Sequence, residues 1–345
     1  MFFQDGGAIS FFDHSTAGNA ALFLQSLEGG AFVRFADSSN AGSATITLRS
    51  GGDRAEVFFE GSSKGGTAQI QFDSFPGAFF ALSLDISAHD APGVTIGSIG
   101  GEGGNVFLGA NNLTVGSNNL STTYSGLIQD GGQNGGTGGS LTKIGTGTFV
   151  LTGANTYTGN TNVNRGVLQV DGSIASNTFV NHPGTLAGMG TINGNVANNG
   201  RVSPGSAGSP GMLTVTGNYT QAQYAALMIQ LAGANAGEFS VLNILGTANL
   251  SGQLKPLLLN GFLPTIGESF TFLQYGSVNG TLFMFNRNID DLPLHWDIGY
   301  FPTFAVLTVA AGNVPVPDHA STLLLLMLGL SALLMCRRHL VCKQT

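Results

Sequence analysis

The sequence predicts an all-β chain wound as a solenoid, and three observations carry that expectation. The first is a 24-residue repeat near the amino terminus. The second is alternation of apolar and polar residues in places through the middle of the chain. The third is a composition in which Gly reaches 53 of 345 residues while Asp, Glu, Lys and Arg together make up only 9%. A helical bundle or coiled coil needs the missing charge, and so does a disordered acidic or basic tail. Collagen is excluded because Pro is only 11 and Gly has no three-residue period.

The repeat occupies residues 1–90. Phe11, Phe35 and Phe59 recur every 24 residues, as do Ser15, Ser39 and Ser63; Gly18, Gly42 and Gly66; Ala20, Ala44 and Ala68; and Leu22, Ile46 and Ile70. One copy has too little apolar surface to fold alone, so the copies are expected to stack, burying like columns against one another about 4.8 Å apart. The Gly column supplies the left-handed backbone of turns, and the Ser column is expected to bond the turn backbone through its hydroxyls.

Residues 91–221 alternate, as in Leu141-Thr-Lys-Ile144 and Val167-Leu-Gln-Val170, with Gly and Asn as punctuation. Within them, residues 139–172 (GSLTKIGTGTFVLTGANTYTGNTNVNRGVLQVDG) resemble the autotransporter-associated β-strand repeat. Leu141, Lys143, Gly145, Gly147, Leu151, Gly153, Asn155, Tyr157, Thr158, Gly159, Gly166 and Leu168 match that family's pattern. The resemblance implies a right-handed parallel β-helix displayed outside the cell. At about 24 residues per coil the first ~220 residues make roughly nine coils, a rod ~45 Å long.

Residues 222–312 lose Gly and gain longer apolar strands around Ile229, Leu245, Leu273 and Val309. This segment is expected to form a C-terminal β cap, since a solenoid end is an open sheet edge that needs cover. Asn260-Gly261 and Asn279-Gly280 read as hairpin turns within it.

The tail divides into a linker with a short motif (313–319), a hydrophobic helix (320–336) and a basic end (337–345). Pro315 and Pro317 stiffen the linker, and residues 323–336 hold eight Leu and no charge. Seventeen residues from Ala320 span about 25 Å as a helix, the short end of a membrane crossing. Arg337, Arg338 and Lys343 follow on the side expected to be cytoplasmic. Val316, Pro317, Asp318, Ser321, Thr322, Leu323 and the Arg337–Arg338 pair resemble a PEP-CTERM sorting signal in its Val-Pro-Asp variant. The sequence departs from the common form in having Asp318-His319 in place of Glu-Pro, and seven residues follow the Arg pair. The resemblance implies exosortase as partner, an inner-membrane intermediate held by the helix, and delivery to the cell surface or matrix. Residues 1–7 lack a basic n-region and an apolar h-region, and the repeat is already running at Phe11. The export signal is therefore expected upstream of this start.

Charge and motif content exclude several functions. Up to Asp318 the chain has nine basic against nineteen acidic residues, a net of −10, so no phosphate backbone is an expected partner. Cys336 and Cys342, the only cysteines, lie in the tail, which leaves the body without disulfide or thiol chemistry. The six histidines (14, 89, 182, 295, 319, 339) show no metal-ligand spacing, and no cofactor is expected. Gly61-Ser-Ser-Lys-Gly65 matches G-x-S-x-G, but it falls on the repeat with no helix pattern after it, so a corner is expected in place of a nucleophile elbow. The Gly runs at 100–104 and 131–139 precede no helix and argue for no phosphate cradle. Asp290-Asp291 reads as a solvated turn. The reading is a surface-displayed structural or adhesin-like protein that is not an enzyme, with extracellular polysaccharide as a candidate partner. A β-helix carbohydrate-active enzyme is the alternative. It needs acidic residues and cations gathered on one face, whereas the nine basic residues of the body are scattered and Arg165 and Arg201 lie 36 apart.

Overall fold

Inward-facing Leu, Ile, Val and Phe at every second position can be buried only if each short strand lies against another, and the chain does this by coiling. A computed structural model describes residues 2–312 apart from 6, 26–28, 50, 52, 75–81, 285–286 and 290–291. Every regular element among the described residues is a strand, and nearly all pairing is parallel. One sheet contains twelve strands in succession, from Phe2–Asp5 through Thr45–Arg49, Val167–Val170 and Ala226–Leu231 to Gln253–Leu258. At about 4.8 Å per rung these make a stack of roughly 50 Å.

The repeat columns stack in register. Leu22, Ile46 and Ile70 are ladder partners in the long sheet, and Phe11, Phe35 and Phe59 are partners in a six-stranded sheet on a second face. The Phe rings form a column, with centroids 4.8 and 5.0 Å apart and planes within 13° of parallel. Phe35 and Phe59 are fully buried. Each such ring removes roughly 150–250 Å² from water, and aromatic contact adds about 0.5–1.5 kcal/mol per pair. At Gly42 two constraints coincide: φ is +63°, and a Cβ would collide with the carbonyl oxygen of Gly18 in the coil below.

The Ser column behaves differently from expectation. Ser15 donates to the carbonyl of Phe12 at 2.7 Å, but the hydroxyls of Ser39 and Ser63 are buried with no hydrogen-bond partner among the described residues. The next column closes the turns instead: Gly18 N–H donates to Thr16 Oγ1 (3.0 Å) and Gly42 N–H to Asn40 Oδ1 (2.7 Å). Thr16, Asn40 and Lys64 bridge successive coils at this corner.

From Gly93–Ile96 onward each coil adds a strand to a third sheet, continued by Asn112–Val115, Ser140–Lys143, Thr161–Val163 and Thr178–Val180. Coil length is not constant. In-register partners are 24 residues apart early on, then 29 (Ile70 to Ile99), 19 (Phe149 to Leu168) and 16 (Leu186 to Val202). Only the inward positions of each strand have to match the coil beneath, so corners lengthen or shorten freely.

Parallel order runs past residue 222. Strand Val241–Leu250 pairs with both Met212–Val215 and Tyr219–Gln221 of the coil below, so two faces merge into one strand. Ser269–Gly280 stacks on it in parallel, and Phe304–Ala311 and Leu294–Tyr300 then close the end in antiparallel order. Trp296 and Phe270 meet edge to face beneath these closing strands. Asn260 and Gly261 do adopt the left-handed pair of a tight turn, with φ of 53° and 71°, yet no hairpin results there or at Asn279-Gly280. The strands flanking 260–261 pair with other coils and not with one another, and Asn279-Gly280 ends strand Ser269–Gly280, paired with Asn249 and Leu250. Lys255 and Pro256 lie in the last strand of the long sheet, where a charge and a missing N–H discourage further pairing.

Candidate functional site

The residues of the Leu-x-Lys-x-Gly pattern explain themselves in the coil. Leu141 and Leu168 point inward and are fully buried. Lys143 also points inward, as strand alternation from Leu141 requires, and its side chain is buried. Its three ammonium donors find three acceptors: the carbonyls of Ile144 (2.6 Å), Gly145 (3.3 Å) and, in the next coil, Arg165 (3.3 Å). Burial pulls its pKa down to about 8. Lys143 thus ties together the corners of two successive coils. Gly145 occupies that corner at φ +68°, where a Cβ would strike the carbonyl oxygen of Gly116. Gly153, Gly159 and Gly166 stack on the backbones of Gly126, Gly138 and Gly145.

Asn155 is buried and spans three coils. Its Oδ1 accepts the N–H of Ile128 at 2.9 Å from below, and its Nδ2 donates to Gly153 (3.1 Å) and to Ser173 (3.0 Å) above. Tyr157 lies 2.6 Å from Thr161 Oγ1, which lies 2.7 Å from Ser176 Oγ, a hydroxyl chain inside the coil. Burial pushes the Tyr157 phenol up to about 12. Sequence reasoning singled out Lys143, Asn155 and Tyr157 but missed Thr161 and Ser176. It also missed a second buried network, in which Tyr219 donates to Gln221 Oε1 (2.6 Å) and Asn198 donates to Tyr219 (3.0 Å). Register was the only available signal: Leu141 is paired with Thr161, and Thr161 with Thr178.

The glycine-rich segment 131–139 is held by carboxylates of the chain itself. Asp85 accepts the N–H groups of Ser87 (2.7 Å) and Gln133 (2.6 Å), and Ser87 Oγ accepts that of Asn134 (2.9 Å). Asp130 accepts from Gly139 N–H (3.0 Å) and Thr158 Oγ1 (2.6 Å). The amides of Gln133, Asn134, Gly138 and Gly139 in this loop are therefore engaged internally.

The G-x-S-x-G segment sits at a corner. Ser63 is buried, and its neighbour Ser62 donates to Asp90 at 2.7 Å. Both ring nitrogens of His89 face carbonyl oxygens, those of Asp90 and Ser63, each at 2.7 Å. No serine hydroxyl is paired with the imidazole in this arrangement. Arg201 is in register with Thr185, itself in register with Val167, so Arg165 and Arg201 belong to coils two apart. Among the described residues no group of three or more His, Cys, Asp or Glu is placed to hold a metal ion, and no helix is long and apolar enough to cross a membrane. Val316, Pro317, Asp318, Ser321, Thr322, Leu323, Arg337 and Arg338 lie outside the described residues, as do Asp290 and Asp291.

Comparison with known proteins matches two segments. Residues 141–170 match the Passenger-associated-transport-repeat family, which covers the Lys143–Asn155–Tyr157 arrangement. Residues 315–340 match the VPDSG-CTERM motif. The chain is 51% identical over 69 residues to an extracellular serine protease of Serratia marcescens, covering 20% of this chain and 7% of that protein. It is 41% identical over 110 residues to the adhesin BmaC autotransporter of Brucella suis biovar 1 (strain 1330), covering 30% of this chain and 3% of that protein. The chain thus spans under a tenth of the length of these relatives. It carries passenger-type repeats in an all-β, largely parallel coil, followed by a C-terminal sorting motif of exported, cell-surface proteins.

Proposed function

We propose that this chain is a structural, adhesin-like protein of the cell surface or extracellular matrix, and not an enzyme, delivered there by an exosortase-like sorting enzyme. The observation that carries the proposal is the order of parts: a rigid passenger coil, then a Pro-stiffened linker, then a sorting motif ending in a Leu-rich stretch and an Arg pair. In this reading the coil is a right-handed β-helix of two regions, 1–90 and 91–221, with 222–312 as its cap. Residues 313–319 present the motif, 320–336 form a transmembrane helix during transit, and 337–345 stay in the cytoplasm. The likeness to a named adhesin favours adhesion, and the likeness to a secreted protease bears only on the short stretch it covers. A surface coil of this kind meets extracellular polysaccharide, its proposed partner.

Pro315 and Pro317 keep the chain extended at the outer end of the hydrophobic stretch, within reach of a membrane enzyme. Arg337 and Arg338 resist outward sliding, because drawing a guanidinium into hydrocarbon costs at least ~2.5–3.5 kcal/mol. The test is the intact mass of the protein recovered from cells with and without an exosortase. The mature form is expected to end near residues 316–321 only where the enzyme is present, and replacement of both arginines by Glu is expected to reduce processing. A mature form that keeps residues 323–336 in exosortase-positive cells would reject sorting and leave a simple anchor.

A further inference from the structure

The outer face of the closing strands holds a groove of about 450 Å³ with no ionisable side chain on its walls apart from the Tyr275 phenol, whose hydroxyl is turned to backbone carbonyls. Asn243 is in register with Gln274, and Gln274 with Phe304, so an amide, an amide and an aromatic ring form one row across three strands. Thr271 and Thr303 complete the rim. Gly276 lets its strand lie close to the one beneath, since a Cβ there would come within 2.6 Å of the Leu245 carbonyl oxygen.

The same strands show a contrast between their two halves. Beyond the irregularity between Ile244 and Thr247, the outward polar side chains bond each other across the coils: Thr247 Oγ1 lies 2.9 Å from Ser277 Oγ, and Asn279 donates to Asn249 at 3.0 Å. Before it, the amides of Asn243 and Gln274 make no such bond to the described residues. Both residues line the groove. The aromatic wall is fixed from behind: Tyr275 Oη lies 2.8 Å from the carbonyls of Phe301 and Phe304, and the rings of those two residues stack at 4.7 Å. Phe301 remains 47% exposed.

We infer that this groove is a binding site for a neutral oligosaccharide. The inference rests on the proposed surface display and names the part of the coil that meets the glycan. Amides and hydroxyls both donate and accept, which matches a ligand whose own groups do both, a polyol. The carboxylate of a uronate or a phosphate group calls for cations, and an amine calls for carboxylates; the groove has neither. The C–H face of a pyranose lies against the aromatic wall while its hydroxyls pair with the amides. Strands hold Asn243, Thr271, Gln274 and Phe304, so little ordering entropy is lost on binding.

The test is affinity electrophoresis of the full chain through gels containing dextran, galactomannan or xyloglucan, with alginate and polygalacturonate as charged comparisons. Retardation is expected with at least one neutral polymer and with neither acidic one. The double variant Asn243→Ala with Gln274→Ala changes only outward polar side chains, and it is expected to weaken binding at least tenfold; Phe304→Ala is expected to do the same. The inference is overturned by the absence of retardation on all three neutral polymers, by retardation on the acidic polymers alone, or by an unchanged double variant. Sedimentation of the same samples covers the remaining occupant: self-association abolished by Phe304→Ala would make the groove a contact between copies and would also overturn it. Display is read separately by protease shaving of intact cells, so a failure of export is not mistaken for a failure of binding.

Discussion

Asn155 is the side chain whose replacement tests the coil most directly. Ile128 N–H, in the coil below, donates to its Oδ1, and it gives its own N–H groups to Gly153 and Ser173. Asn155→Leu keeps the branched outline of the side chain, though it is bulkier, and removes all three bonds. The Ile128 amide is then buried without an acceptor, a cost of about 1–3 kcal/mol. The carbonyl of Gly153 still receives Ser173 N–H at 3.0 Å, so its loss is smaller, about 0.5–1 kcal/mol. The expected destabilisation is therefore about 1.5–4 kcal/mol in urea unfolding of the body. Because a solenoid is stabilised by neighbour contacts, the weakness should be local, with new proteolytic cleavage between residues 126 and 176. Asn155→Asp is a sharper probe. It retains the acceptor but sets a carboxylate against two carbonyl oxygens, so burial and these neighbours raise its folded pKa above the unfolded value. Its stability contribution is then present below the unfolded pKa and is lost as pH rises through the folded one. The variant should lie closest to wild type in acid and furthest from it at neutral pH. A loss under about 0.5 kcal/mol for Asn155→Leu, or cleavage confined to distant coils, would refute the view that this side chain joins three rungs.

Three further outcomes are expected. Phe35→Asp should open the amino-terminal coils to protease, because a buried unpaired carboxylate costs several kcal/mol in the middle of the Phe11–Phe35–Phe59 stack; unchanged resistance over residues 11–70 would reject the column's role. Burial holds the Lys143 ammonium down at about 8 when folded, against about 10.4 when unfolded, so between those values the unfolded state holds more protons and stability should rise with pH, by on the order of 3 kcal/mol in full. Above about pH 10 the buried phenols of Tyr124, Tyr157 and Tyr219, all raised by burial, work the other way, and the rise is best read from pH 8 to 10; an equal rise in Lys143→Met would assign it elsewhere. The melting temperature of the body should be unmoved by EDTA or dithiothreitol, and a marked drop in either would reveal a metal or disulfide.

Much of this protein was legible without coordinates, because a solenoid repeats the same local problem. A 24-residue period can be buried only by stacking equal positions, and Phe11, Phe35 and Phe59, or Leu22, Ile46 and Ile70, are ladder partners for that reason. Alternation set which side of each strand faces inward, and it already placed Lys143 on the same side as Leu141. That Lys143, Asn155 and Tyr157 matter was visible from their pattern; what they do was not, since their partners come from coils 18 to 27 residues away or from Thr161 and Ser176, polar residues with no apolar signature. Serine in a turn-like context suggested a hydroxyl bonded to backbone, yet the Ser39 and Ser63 hydroxyls are buried with no partner among the described residues, and Asn40 took over the turn. Asn-Gly at 260–261 carried the local geometry of a tight turn, but which strands lie side by side is settled by the coil above and below, and so no hairpin formed. Local sequence determined strand, turn and facing. Coil length, the merging of two faces at Val241–Leu250 and the pairing of buried polar groups were decided by tertiary structure, because each depends on the register between segments that the chain brings together only after it has wound.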